Sequence, residues 1–401
     1  MQPDGWETKN IGEFMDFKNG VNADKDAYGE GVKFVNVMDV FDHDFLLQTN
    51  VRGSMTANEK QQKEYSVCHG DILFNRTSET ENDIGMTAVY MDDQPIIFGG
   101  FVIRGRQKNP VLLPEYAGYC FRSSAARREI VRRGQGAIRT NIGQKDLSLV
   151  PILVPPKLEQ QAISDVLLMW DKTLKSTNKL IKEKQMQKKA LMQRLLTGKH
   201  RFPEFEGEEW TTLKADQIFK SFTKKRNENE PLLAVMQDIG VVPRDSLDRR
   251  VAMPDGSTDS YKLIVPGDFV ISLRSFQGGL EYSRYRGIVS PAYTILKSIR
   301  PINDDFYRHY FKSYDFIGHL AVAVIGIRDG KQISYDDFSF MNIPCPSVKE
   351  QQKIAAVLNE ADKEIDLLTQ KLEGYEEQKK GLMQQLLTGK KRVKLDRQEA
   401  A

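Results

Sequence analysis

Cysteine is scarce in this 401-residue chain: Cys68, Cys120 and Cys345 are odd in number and far apart. A disulfide framework is therefore not expected, and a reducing cytoplasm suits the chain better. Histidine is sparse too: none of His43, His69, His200, His309 and His319 stands at zinc-finger spacing from a cysteine. Cys68 and His69 are adjacent, too close for the usual ligand geometry, so no metal site is expected. No stretch approaches the roughly 18 apolar residues that a membrane span needs. The opening Met1-Gln2-Pro3-Asp4-Gly5-Trp6 lacks the basic and apolar blocks of a signal peptide. Catalytic signatures are also missing. There is no Gly-rich cofactor loop after a strand and no Asn-Pro-Pro-aromatic motif, as a methyltransferase would require. Gly198-Lys199-His200 and Gly389-Lys390-Lys391 lack the first Gly and the hydroxyl of a nucleotide-binding phosphate loop. The chain is expected to have no cofactor and no catalysis of its own.

Hydrophobic residues make up 40% and charged residues 28%, the balance of a folded protein. The length suits two or three domains. Net charge is only +3, so the distribution of charge carries more information than its sum.

The main organising signal is an internal repeat at an offset of 191. It aligns Glu159-Gln160-Gln161 with Glu350-Gln351-Gln352, and Leu195-Leu196-Thr197-Gly198-Lys199 with Leu386-Leu387-Thr388-Gly389-Lys390. Residues 159–199 and 350–390 share 19 identities in 41 positions without a gap, where about two or three are expected by chance from average composition.

Each copy reads as one long helix. Spacings of four and three pick out Ile163, Leu167, Trp170, Leu174, Ile181, Leu191 and Leu195 in the first, with Lys184 and Lys188 as interruptions. The second gives Ile354, Leu358, Ile365, Leu368, Leu372, Leu382 and Leu386. A sustained 3.5-residue period is a coiled-coil seam. Residues 172–201 hold ten Lys or Arg against one acid, whereas residues 349–394 hold ten against eight acids. That complementarity favours pairing of the two helices with each other. A chain that runs out, forms a domain and returns pairs them antiparallel. Ser347 and Glu350 form a capping box at one start. Gly198 and Gly389 stand where left-handed C-caps belong. Gly374 and Gly381, inside the second helix, should each cost about 1 kcal/mol relative to Ala, which packing against a close partner could offset.

The globular parts repeat more faintly. Trp6 opens one and Trp210 the other. Gly70-Asp71 matches Gly267-Asp268, and Asp146-Leu147 matches Asp337-Phe338. Residues 33–37 and 293–296 read as strands. Residues 114–133 and 304–319 read as helices. The fold class is therefore α+β: two mixed α/β domains separated by two long antiparallel helices forming a coiled coil, with an internal pseudo-two-fold repeat. The expected boundaries are 1–155, 156–201 (helix), 202–346, 347–391 (helix) and a basic tail at 392–401, expected to be disordered.

Nucleic-acid contacts are expected where arginine clusters. Arg122, Arg127, Arg128, Arg132, Arg133 and Arg139 face one acid, Glu129, and lead into Gln135, Arg139, Thr140 and Asn141. Arg, Gln and Asn are residues that read base edges. The matching loop of the second half offers Arg328, Lys331 and Gln332. Arg76, Thr77 and Ser78 follow one Gly-Asp strand; Arg274, Ser275 and Gln277 follow the other. Arg284 and Arg286 alternate with tyrosines. A solvated surface would account for each of these sets as well. Trp6 and Trp210 read as core anchors rather than base stackers.

Two domains, each followed by a helix carrying Glu-Gln-Gln at its start and Leu-Leu-Thr-Gly-Lys at its end, resemble the specificity subunit of type I restriction-modification systems. The resemblance covers essentially the whole chain. It implies two target-recognition domains, each reading half of a split, asymmetric site in double-stranded DNA. It implies long helices that set the gap and dock two methyltransferase subunits, to which endonuclease/translocase subunits add. S-adenosylmethionine, Mg²⁺ and ATP would then belong to those partners, in a bacterial or archaeal cytoplasm. Two other readings stay open. One is a recognition subunit of a type IIB-like restriction system, distinguished by gene context. The other is a coiled-coil scaffold that binds proteins, distinguished by the absence of steeply salt-dependent DNA binding.

Overall fold

The computed structural model describes residues 3–22, 25–136, 139–237, 239–247, 258–273, 275–324 and 333–394. The chain forms two compact units. The first combines residues 1–177 with 371–401, and the second is residues 178–370. Each unit therefore takes the start of one long helix and the end of the other.

In the first unit a five-stranded sheet runs in the order Met15–Asn19, Val102–Gln107, Ile72–Asn75, Thr87–Tyr90, Phe45–Leu46. A four-stranded sheet around Tyr28–Val35 and Ile96–Phe98 stands beside it in sequence. Strand Glu7–Asn10 pairs antiparallel with Pro151–Val154, which joins the first strand of the unit to the last. Helices Pro114–Arg122 and Ser124–Val131 bury Tyr116, Tyr119, Phe121 and Ile130 against the larger sheet.

The second unit repeats this plan. Its sheet runs Phe219–Phe222, Thr294–Ser298, Phe269–Ile271, Glu281–Tyr282, and Thr211–Lys214 pairs antiparallel with Asn342–Cys345. Helices Asp304–Tyr310 and Tyr314–Val324 follow. Equivalent residues make equivalent bonds. Tyr116 and Tyr307, 191 apart, donate to the carbonyls of Leu153 and Pro344, also 191 apart, at 3.4 and 3.2 Å. The Gly-Asp pairs start matching strands: Asp71 accepts the Cys68 N–H at 2.8 Å, and Asp268 the Val265 N–H at 2.9 Å. Gly70 and Gly267 adopt φ of +81° and +96°, a region that favours glycine.

Local chemistry shifts some expected boundaries. The strand expected at 33–37 ends at Val35, because Asn36 caps helix Val37–Asp42 and accepts the N–H groups of Met38 and Asp39. The helix expected over 114–133 breaks at Ser123, whose hydroxyl caps the next helix at the Ala126 N–H. The stretch 304–319 likewise divides into two helices.

The long helices are Lys157–Leu195 and Val348–Leu386, 39 residues each. At about 1.5 Å per residue that is ~58 Å of helix. Every expected seam position is buried or half-buried, from Ile163 to Leu195 and from Ile354 to Leu386. Within the first unit Ile163 and Leu167 share a core with Leu382, Leu386 and Leu387, and Trp170 meets Tyr375 edge-on at 5.7 Å. Within the second, Leu191 and Leu195 pack with Ile354 and Leu358. In each unit the start of one helix meets the end of the other, which is antiparallel pairing.

The seam interruptions are paired, not loose. Lys188 forms an ion pair with Asp362, and 191 residues on and back, Lys379 pairs with Asp171. Lys184 reaches Glu364 at 2.7 Å. Gly198 and Gly389 close the helices with φ of +70° and +66°. The N–H groups of His200 and Lys391 then bond back to the carbonyls of Arg194 and Gln385. Gly374 and Gly381 have no close neighbour: a methyl group at either would meet nothing within 4 Å.

Candidate nucleic-acid interface

The base of each unit carries one three-residue clamp. In the first, the Glu159 carboxylate, 2% exposed, accepts the Trp6 indole N–H at 2.9 Å and an Arg392 guanidinium N–H at 2.6 Å. In the second, Glu350 accepts Trp210 at 2.9 Å and a two-pronged bond from Arg201 at 2.7 Å. Glu159 and Glu350, like Arg201 and Arg392, are 191 apart. The neighbouring Gln160 binds the Val111 and Pro155 carbonyls and the Leu113 N–H; Gln351 binds the Pro346 carbonyl and the Asn303 N–H. The Glu-Gln pair thus locks a long helix onto its globular domain. This corrects two expectations. Glu350 serves the clamp, not the capping box. Arg392 is a fixed partner, not the first residue of a loose tail.

With the base anchored, the rest of each globular domain can present loops. In the first unit Thr77–Ser78 pairs antiparallel with Thr140–Asn141, and Gln135 bridges Asn141 through two backbone bonds of 2.8 and 2.7 Å. Gln135 and Asn141 thus lie side by side, and Gly136 has φ of +121°. Its Cβ would lie 2.2 Å from the Arg139 carbonyl oxygen, so no other residue fits without a shift. Asn141 accepts the Thr77 hydroxyl at 2.7 Å and donates to the Arg139 carbonyl at 3.0 Å. Gln135, Arg139 and Asn141 are exposed and Thr77 is half-buried. Arg139 stands 3.8 Å from Glu79, both well exposed, a pairing too weak to withhold the guanidinium from a ligand.

Most of the arginine cluster has internal work. Arg122 holds the carbonyls of Val40, His43 and Thr87 and pairs with Asp44 at 2.6 Å; burial lowers its pKa. Arg127 grips the carbonyls of Asn82, Ile84 and Gly85, and burial pulls its pKa down to about 10. Arg133 bonds to Glu129, and half-buried Arg76 donates to the Gly100 carbonyl at 3.2 Å. Arg128 and Arg132 remain exposed, the latter beside Glu129. Ser78 and Thr140 are buried. They lie paired within the hairpin. Sequence reasoning missed Phe101, 65% exposed, whose carbonyl accepts the Arg76 N–H.

In the second unit Arg284 and Gln277 are exposed, and Arg286 pairs with Glu230 at 2.8 Å. Ser275 is 1% exposed, its hydroxyl accepting the Ser272 N–H. It caps a turn and is not a surface reader. Arg274, Arg328, Lys331 and Gln332 lie outside the described residues. Among the described residues no group of three or more His, Cys, Asp or Glu could hold a metal ion, and no helix is long and apolar enough to cross a membrane.

Residues 3–184 and 207–377 each match the type I restriction modification DNA specificity domain. The type I restriction enzyme MjaVIII specificity subunit of Methanocaldococcus jannaschii is 24% identical over 425 residues, which cover 98% of this chain and 94% of that protein. The crystal structure of the type I restriction-modification S subunit from M. genitalium superposes with a TM-score of 0.52 at 14% identity, covering 98% of this chain and 97% of that one. A solved chain of the type I R-M system, from work on its complex assembly, gives a TM-score of 0.61 at 16% identity, covering 96% and 98%.

Proposed function

The chain belongs to the type I restriction-modification DNA specificity family, a class of non-catalytic recognition subunits, and from that premise we propose that each unit reads one half of a bipartite, asymmetric DNA site. The observation that carries this reading is the contrast between base and tip. The two units share the order of four sheet strands, the clamp and the helix anchors, yet differ in their exposed polar residues: Gln135, Arg139 and Asn141 in one, Gln277 and Arg284 in the other. One scaffold with two unlike tips suits two unlike half-sites. In the first unit Thr77, Gln135, Arg139 and Asn141 form the proposed reading surface, with Arg128 and Arg132 near by in sequence for phosphate contact. In the second, Gln277 and Arg284 are proposed, together with Arg274, Arg328, Lys331 and Gln332, which lie outside the described residues.

The paired helices would set the unspecified gap between the half-sites and dock two methyltransferase subunits, which carry S-adenosylmethionine. Endonuclease/translocase subunits, with Mg²⁺ and ATP, would complete the assembly. A stiff helix pair keeps half-sites in phase with a duplex turn of about 34 Å, which a flexible linker cannot do. The test is methylation mapping of genomic DNA from a host carrying this chain and its methyltransferase partner. A split methylated motif that disappears with this chain supports the reading. Unchanged methylation overturns it.

A further inference from the structure

The repeat allows the outward faces of the two long helices to be compared position by position. Lys172, Lys175, Lys179, Lys182 and Lys189 recur at spacings of three, four and seven, so they share one face of the first helix. All five are exposed, and none belongs to the seam. Their counterparts 191 residues on are Lys363, Asp366, Gln370, Glu373 and Lys380, and Met186 between them corresponds to Glu377. Five lysines and a methionine on one helix thus answer to two positive, three negative and one neutral residue on the other. No seam position reverses charge in this way: Ile163, Leu167, Lys188, Leu191 and Leu195 are identical to their counterparts, and the other five positions change without gaining an acid.

Pairing of the helices does not account for this face. The cross-helix ion pairs use Lys184, Lys188 and Lys379 instead. Lys179 has Glu183 at 3.7 Å, an exposed pair. Among the described residues no acid stands within 4 Å of Lys172, Lys175, Lys182 or Lys189. Like charges three and four apart cost a helix about 0.2–0.5 kcal/mol per pair, so an unmatched row is a feature that folding disfavours. Two identical subunits docked on a two-fold repeat would meet equivalent faces, and these faces are not equivalent. A single linear polyanion carries no such requirement. The lysines extend over ~26 Å of helix, and duplex DNA presents a charge about every 1.7 Å of its axis.

We propose that this lysine face is a sequence-independent track for the phosphates of the unspecified gap between the two half-sites. The inference rests on the bipartite reading given above. Lys172, Lys175, Lys182 and Lys189 are changed together to Gln in the chain assembled with its methyltransferase subunits. Binding to the cognate duplex is followed by fluorescence anisotropy from 50 to 200 mM salt. Each phosphate contact contributes about 0.9 to the log–log salt slope, so losing four reduces it by about 3.6. Over that fourfold rise in salt the wild-type affinity therefore falls about 150-fold more than that of the variant. The methylated sequence stays the same. A second measurement needs no variant: methylphosphonates replace phosphates in the gap alone. They weaken wild-type binding and leave the variant nearly unaffected. An unchanged salt slope, or equal methylphosphonate penalties, overturns the proposal. So does loss of methyltransferase assembly with the slope intact, which would make the face a protein dock. If the wild-type complex shows no preference for its cognate duplex, the bipartite reading fails instead.

Discussion

Replacing Glu350 with Gln keeps the side-chain volume and removes one charge from the second clamp. Glu350 is 1% exposed, and the Arg201 side chain that it binds is 15% exposed. Gln can still accept the Trp210 N–H, but Arg201 is left mostly buried without a counter-charge. Breaking a buried pair on one side costs about 3–5 kcal/mol, because the surviving ion has lost water as well as its partner. The same change at Glu159 should cost at most about 1 kcal/mol, since Arg392 is 44% exposed and can turn to solvent. Urea unfolding followed by tryptophan emission is a direct assay, as Trp6 and Trp210 each bond to a clamp carboxylate. Combining Glu350→Gln with Arg201→Met should recover part of the loss, since no charge is then stranded. A Glu350→Gln penalty below about 1 kcal/mol, or one no larger than that of Glu159→Gln, would refute the reasoning.

Gly374→Ala and Gly381→Ala should each stabilise the chain by about 1 kcal/mol, seen as a higher urea midpoint, because both helical sites have room for a methyl group. Gly389→Ala should instead destabilise, and by more than Gly198→Ala: its Cβ would lie 2.3 Å from Pro3, against 3.3 Å from Trp210 at Gly198. His309 should make stability pH-dependent. Burial, and then neighbouring Arg308, pull its pKa down to about 4; Asn359, Asp362 and Lys188 also face it. The unfolded His binds its proton near pH 6.5, so stability is complete above that pH and declines as pH falls toward 4. The His309→Gln variant should lack that component when melting is followed across this range. Gln135→Ala with Asn141→Ala should degrade methylation at one half-site and leave the other half intact, read by sequencing modified DNA.

Much of the fold was legible because it rests on local periodicity. The seam shows as a 3.5-residue period, the helix ends as Leu-Leu-Thr-Gly-Lys, and the repeat as an offset of 191. The strands were harder, being two to eight residues long and bounded by side-chain caps such as Asn36. The candidate interface was legible only in part. A run of arginines looks alike whether it faces solvent or holds carbonyls. Arg122 and Arg127 find their acceptors some 35 to 80 residues away in sequence, and no local pattern announces that. The clamp hid for a related reason. Glu350 satisfied a capping-box spacing, while its true partners, Arg201 and Trp210, lie about 150 and 140 residues earlier.

The order in which the clamps can close has a consequence for synthesis. The second unit is one uninterrupted stretch, and Glu350 meets an Arg201 and a Trp210 that have long since left the ribosome. The first unit has its opening residues made early but waits for residues 371–394, and Glu159 stays without Arg392 until 233 further residues have been made. A product that stops between residues 371 and 391 therefore holds the whole second unit but an incomplete first one, with the Glu159 clamp unclosed.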